Sequence, residues 1–263
     1  SRAKAVGNVQ TEKEAAGRLH AAALIAGYTA QKQPNEKLKT CTAGVRQKLE
    51  TRYGKEELYH AFTAMDFLQI CVAAGHAGEY AAAVGYCDQA VSLDPGMEEV
   101  YLARAIVMQQ IGDHQAVVRD AGLVLEQISV RQKKLEEVKK ERTPADLIGQ
   151  QLDQDEAAKL SFLERKALEV RGTSFTELAV GAVDKEAYDA GKKYIDAARK
   201  DFYRFDKLEH QYKRKVALYN QLSKLKKLEW SRLRRPIGHK EIGKHRGEAF
   251  DVAVSPKEDL IAS

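Results

Sequence analysis

Residues 64–127 read AMDFLQICVAAGHAGEYAAAVGYCDQAVSLDPGMEEVYLARAIVMQQIGDHQAVVRDAGLVLEQ, and this stretch repeats itself. Gly78 and Gly112 stand 34 residues apart, as do Phe67 and Tyr101, Cys71 and Ala105, Tyr80 and His114, and Ala83 and Val117. Apolar residues recur at helical spacings before and after each glycine. A glycine between two such runs ends one helix and lets the chain reverse. The stretch therefore predicts two copies of a helix-turn-helix unit. A fixed period of this length is the mark of stacked repeats, each covering a neighbour's apolar face.

Side-chain size alternates in a way that suits such packing. Small residues at Cys71, Ala83, Ala90 and Ala105 let paired helices approach, and larger ones at Phe67, Tyr80 and Tyr101 fill the gaps between units. Gly78-Glu79-Tyr80 with Ala83, Cys87, Ala90, Leu93 and Pro95, and Tyr101 through Ala105, Gly112, His114 and Ala121, resembles the tetratricopeptide repeat. The resemblance covers roughly a quarter of the chain and departs at Ala74 and Ser129, where the family often has a large residue and a second proline. It implies an all-α architecture of helical hairpin repeats, an α-solenoid, that holds other macromolecules. In this reading Phe67, Tyr80, Ala83, Tyr101 and Ala105 hold the repeats together. Some family members grip acidic chaperone tails through Lys and Asn side chains. The matching positions here are Leu68, Val72 and Ala103, which cannot bind a carboxylate. The groove is expected to take something more apolar, or a neighbouring helix.

Working outward, Thr11-Glu12-Lys13-Glu14 has the spacing of a capping box and predicts a helix over 11–33, broken at Pro34-Asn35. A second helix is expected over 36–52, stopping at Gly54, and a third from near Lys55 through Phe62 and Met65 to Val72. Pro95 suits the first turn of the helix over 97–111. The Lys- and Glu-rich stretch 129–142 reads as a solvated continuation of the helix over 114–125. Thr143-Pro144-Ala145-Asp146 predicts a fresh start, with a helix closing near Gly172 and another capping box at Ser174-Phe175-Thr176-Glu177.

From about 185 to 230 there is no proline, and Gly191 is the only glycine. Ile195, Ala198, Phe202, Phe205, Leu208, Tyr212, Val216, Tyr219, Leu222, Leu225 and Leu228 recur at gaps of three or four. A single helix of that length would reach on the order of 65–70 Å. Its apolar stripe needs a partner, either this chain's own repeats or another subunit. The tail beyond Trp230 loses the helical period and reads as extended and basic. The expected organisation is an N-terminal helical cap (1–54), two repeat units (55–128), linking helices (129–183), a long basic amphipathic helix (184–231) and the tail (232–263).

Residues 192–246 carry 18 basic against 6 acidic side chains, whereas the rest of the chain carries 25 against 32. That asymmetry points to an acidic partner for the C-terminal part. Arg232, Arg234, Arg235, Lys244 and Arg246 are the expected partner contacts. Three cysteines without a CxxC argue against a disulfide framework and for a reducing compartment, with Cys71 and Cys87 as small apolar fillers. No run is long enough to cross a bilayer. Ser1 stands where an initiator Met would be, as expected of a processed form or a fragment; loss of a mitochondrial targeting peptide would produce it.

Little in the sequence suggests catalysis. Residues 238–245 nearly spell the phosphate-binding loop, but His245 replaces the hydroxyl and no hydrophobic strand precedes it. His239, Glu241 and His245 fit no zinc spacing. No enzyme, cofactor or metal is expected. The leading expectation is a structural scaffold subunit of a large multiprotein assembly. One alternative is an RNA-associated, ribosomal or ribonucleoprotein subunit, because Tyr203, Tyr212, Tyr219 and Trp230 interleave with the basic residues, although helical spacing puts these aromatics largely on the apolar stripe. Another is a peripheral subunit of a membrane energy-converting complex, such as an organellar ATP synthase, held through the same basic region.

Overall fold

A computed structural model describes residues 2–31, 35–143, 146–209, 212–233, 253–254 and 261–262. These form ten helices: α1 (Arg2–Gln31), α2 (Glu36–Tyr53), α3 (Lys55–Tyr59), α4 (Ala64–Ala77), α5 (Tyr80–Leu93), α6 (Glu98–Ile111), α7 (His114–Glu141), α8 (Leu147–Asp184), α9 (Tyr188–Leu208) and α10 (Tyr212–Leu233). One short antiparallel pairing joins β1 (Ala253–Val254) to β2 (Ile261–Ala262). Among the described residues the secondary structure is all helical apart from that pair, and every helix packs on a neighbour.

The two glycines that set the repeat period do the work expected of them. Gly78 (φ +90°) and Gly112 (φ +88°) sit in the left-handed region at the ends of α4 and α6, where a Cβ would be strained. The backbone N–H of Gly112 bonds the Met108 and Gln109 carbonyls, closing the last turn. Asp113 then caps α7 by accepting from the Ala116 N–H at 3.0 Å. The chain reverses at each glycine, so α4 packs on α5 and α6 on α7. The first helices of successive hairpins also touch: α1 meets α4, α4 meets α6, and α6 meets α8.

Two apolar cores meet at α6. One gathers Leu24 of α1, Phe67, Ile70 and Cys71 of α4, Ala83, Cys87 and Ala90 of α5, and Val100 and Val107 of α6. The other gathers Tyr101 of α6, Val124 and Ile128 of α7, Leu160 and Leu168 of α8, Ile195 and Phe202 of α9, and Leu218 and Leu225 of α10. Phe67, Ala83, Tyr101 and Ala105 are buried, whereas Tyr80 is half-buried beside the first core. Ala83 has no exposed surface, and a Cβ built on Gly75 would lie 3.9 Å from it, so α4 and α5 are already close. Ala83→Leu is expected to overpack this contact and cost about 1–3 kcal/mol, read as a lower urea midpoint at unchanged m-value.

Several elements differ from the sequence expectation. The first helix does not begin at Thr11 but runs from Arg2, so the Thr11-Glu14 spacing lies inside it. The helix expected from Lys55 to Val72 is broken at residues 60–63. Thr63 and Asp66 form a true capping box there, which starts α4 afresh. Pro95 lies in the turn before α6 rather than in its first turn. Gly172 does not end a helix: α8 continues to Asp184, and Ser174 and Thr176 are buried within it. Gly172 is where Phe202 of α9 comes close to the α8 backbone. A Cβ there would come within 2.8 Å of the ring, so this glycine serves a helix crossing and not a stop.

The single long helix expected over 185–230 is two helices. Glu209 adopts an extended backbone (φ −96°, ψ 123°) and is buried, with Arg214 of α10 as its ion-pair partner at 3.2 Å. The break lets α10 fold back on α8 and α9, which covers the apolar stripe within the chain. It also resets the helical phase. Leu218 and Leu225 turn inward, while Val216 and Tyr219, expected on the stripe, are 40% and 63% exposed.

Cysteine chemistry also departs from expectation. Cys71 of α4 and Cys87 of α5 form a disulfide, with Cα atoms 5.4 Å apart, and Cys41 is free and exposed. The same smallness that brings the two helices together puts the two sulfurs within bonding reach. This does not favour the reducing compartment that the cysteine count suggested.

Tyr28 of α1 and Tyr86 of α5 meet edge to face at 6.3 Å between ring centroids. Burial, then a mutual hydrogen bond, pushes the Tyr28 hydroxyl from 10.0 to about 12. Burial, then a bond to Tyr59, pushes Tyr86 to about 12 as well. A raised folded-state pKa favours the protonated form, so its stabilisation is complete below pH 10 and is lost as pH rises toward 12. Stability should fall over that window, and Tyr28→Phe should flatten the fall, as measured by urea unfolding at stepped pH.

Candidate docking groove

Stacking the first helices side by side opens a groove between α1, α4, α6 and α8. Its volume is about 570 Å³. Ile25, Leu68, Val72, Ala103, Ile106 and Leu163, with Ala73 and Leu102, supply its apolar lining, and Thr29, Gln69, His76 and Glu99 are the polar members. Val72 and Ile106, on adjacent helices, are 38% and 39% exposed. Neither lysine nor arginine lines it. Leu68, Val72 and Ala103 line it together.

One charged group does reach the groove. Burial alone would raise the Glu99 carboxyl. The hydrogen bond from Lys159 and the nearby Arg131 outweigh burial and hold it below its ordinary value, so it stays anionic. Lys159 Nζ lies 2.6 Å from Glu99 Oε1, tying α8 to α6 at the rim. The contributions of α1 and α8 were not legible from the repeat period, because neither helix belongs to the repeated stretch.

Behind the groove a series of arginine–carboxylate ties joins neighbouring helices. Arg104 of α6 grips Asp120 of α7 through two parallel bonds of 2.7 and 2.9 Å, and reaches Asp88 of α5 at 2.7 Å. The bond to Asp120, opposed by burial, leads in raising the already high pKa of Arg104. Arg131 of α7 joins Glu98 of α6 to Glu156 of α8. Arg171 of α8 holds Asp201 of α9 at 2.8 and 2.7 Å. Asp120, Glu98 and Asp201 are all buried, so each acid depends on its arginine.

A second cavity of about 640 Å³ lies on the α3–α5 side, lined by Tyr59, Phe62, Phe67 and Tyr86 with Lys55 and Gln89. A different kind of surface covers α9 and α10. Lys193, Lys200, Tyr203 and Lys207 recur every three to seven residues on one exposed face of α9, and Tyr203 is 62% exposed. Tyr203 and Tyr219 thus do not pack within the apolar stripe, contrary to the reading from helical spacing; Phe202 and Phe205 fill the inward positions of α9, and Leu218 and Leu225 those of α10.

Of the expected partner contacts, Arg232 falls in the last turn of α10, while Arg234, Arg235, Lys244 and Arg246 lie outside the described residues. Residues 239–245, with their metal- and phosphate-like spacings, lie outside them too. Among the described residues, no group of three or more His, Cys, Asp and Glu is arranged to hold a metal ion. Among the same residues, no helix is long and apolar enough to cross a membrane. The chain matches no protein-family model and no curated protein sequence.

Proposed function

We propose that this protein is a non-catalytic scaffold subunit of a larger assembly, docking the apolar face of a partner helix in the groove between α1, α4, α6 and α8. The observation that carries this reading is the groove's lining. Eight apolar side chains stand on four helices with neither lysine nor arginine among the lining residues, which suits an apolar helix and disfavours an acidic tail. The 34-residue register and its resemblance to tetratricopeptide repeats support the same reading, as hairpins of that kind serve as docking platforms. The Cys71–Cys87 disulfide supports a working compartment that permits disulfides; a mitochondrial location is compatible only as such a compartment.

Mass measurement on native extracts tests the proposal. The protein should travel in an assembly far larger than its own 29.3 kDa. A double change, Val72→Glu with Ile106→Glu, places two charges on half-exposed groove positions and should release it while helicity and thermal midpoint stay near their original values. A free monomer in native extracts, or undisturbed assembly of the double variant, would rule the groove out.

A further inference from the structure

We infer that the exposed face of α9 and α10 binds single-stranded nucleic acid, with Tyr203 and Tyr219 as stacking platforms and the lysines around them as phosphate contacts. This inference stands apart from the groove reading, since it concerns different helices. It begins with how the charges of α9 and α10 are used. Four of their carboxylates are held by cations: Asp201 by Arg171, Asp206 by Lys215, Glu209 by Arg214 and Glu229 by Arg199. Lys192, Lys193, Lys200, Lys207, Lys213 and Lys226 have no ion-pair partner among the described residues, and all six are exposed. Among the described residues Asp189 and Asp196 of α9 are also exposed, and Asp196 lies one turn from Lys193 and from Lys200, so six unpaired lysines face solvent against two unpaired acids and the surface keeps a net positive charge.

Geometry adds the second feature. Lys215 meets Asp206 at 3.4 Å and Arg199 meets Glu229, so α9 and α10 run antiparallel in a defined register. That register brings Tyr203 and Tyr219 to within about one helical turn of the same level. Both residues are more than 60% exposed. On α9, Tyr203 lies one turn from Lys200 and one from Lys207. From Lys193 to Lys207 the stripe runs about 21 Å.

Unspent ammonium groups beside solvent-facing aromatic rings match the two halves of a nucleotide. Phosphates attract the lysines, and an unpaired base offers a π-face to tyrosine. A lipid surface would call for several large apolar side chains on the facing side to enter the acyl boundary, whereas among the described exposed positions of α9 and α10 Val216 is the one large aliphatic residue, set among Tyr, Lys, Asp196, Arg204, Asn220 and Ser223. An acidic peptide would use the lysines but gives two exposed tyrosines no stacking partner.

Fluorescence anisotropy with a labelled, unstructured RNA of about 20 nucleotides tests the idea on the full chain. Binding is expected to fall steeply between 50 and 200 mM KCl. Tyr203→Ala with Tyr219→Ala should weaken it by about five-fold or more for each ring, at unchanged circular dichroism. Lys200→Glu with Lys207→Glu should weaken it further and flatten the salt dependence. Val72→Glu with Ile106→Glu should leave it unaltered, which separates this site from the groove. Unaltered binding in the tyrosine pair, equal competition by duplex RNA of the same length, or equal binding to phosphatidylserine vesicles or polyglutamate would overturn the inference.

Discussion

Arg104→Ala is expected to destabilise the protein by about 3–5 kcal/mol, among the largest effects of any single change away from the disulfide. Asp120 is 5% exposed, and both of its oxygens are held by the one guanidinium. Removing the arginine leaves a carboxylate in a nearly dry site between α6 and α7. Asp88 also loses its partner but is half solvated, so its share of the loss is small. The change should appear as a lower urea midpoint with an unaltered m-value. The double replacement Arg104→Met with Asp120→Leu removes both charges and should recover most of the loss. If the double variant is as unstable as the single one, packing by the arginine stem rather than charge is responsible.

Replacing Cys71 and Cys87 together by alanine should cost about 3 kcal/mol, because the disulfide closes a short loop and restricts the unfolded chain. The two residues are separated by 16 positions, and both are fully buried between α4 and α5. Reductant added during unfolding should lower the stability of the original protein by a similar amount and leave the double variant unchanged. Thiol titration of the denatured, unreduced protein gives an independent check. One thiol, that of Cys41, should react. Three reactive thiols would mean that the bond does not form, and the expectation of a reducing compartment would stand.

These two predictions rest on partnerships that the linear sequence does not display. Arg104 lies 16 residues from both Asp88 and Asp120, and only the return of α5 and α7 to flank α6 makes them neighbours. Cys71 and Cys87 occupy small-residue positions, and a small residue needed for close helix contact looks the same whether or not it is bonded. The candidate groove was half legible. Its apolar positions Leu68, Val72 and Ala103 were singled out by the resemblance to tetratricopeptide repeats, while Ile25, Glu99 and Leu163 come from tertiary packing.

What the sequence determined by itself is local and periodic. It determined helices through side-chain spacing, reversals through Gly78 and Gly112, and the close pairing of α4 with α5 through small residues, because each of these depends on atoms within a turn or two of one another. The tertiary structure decided what depends on distant surfaces. It carried α8 through Gly172, since a passing phenylalanine ring and not a helix end required that glycine. It broke the C-terminal helix at Glu209, because folding back buries Leu218 and Leu225 on this chain's own core. That one reversal also turned Tyr219 outward, since a break in a helix resets which side of it faces the protein.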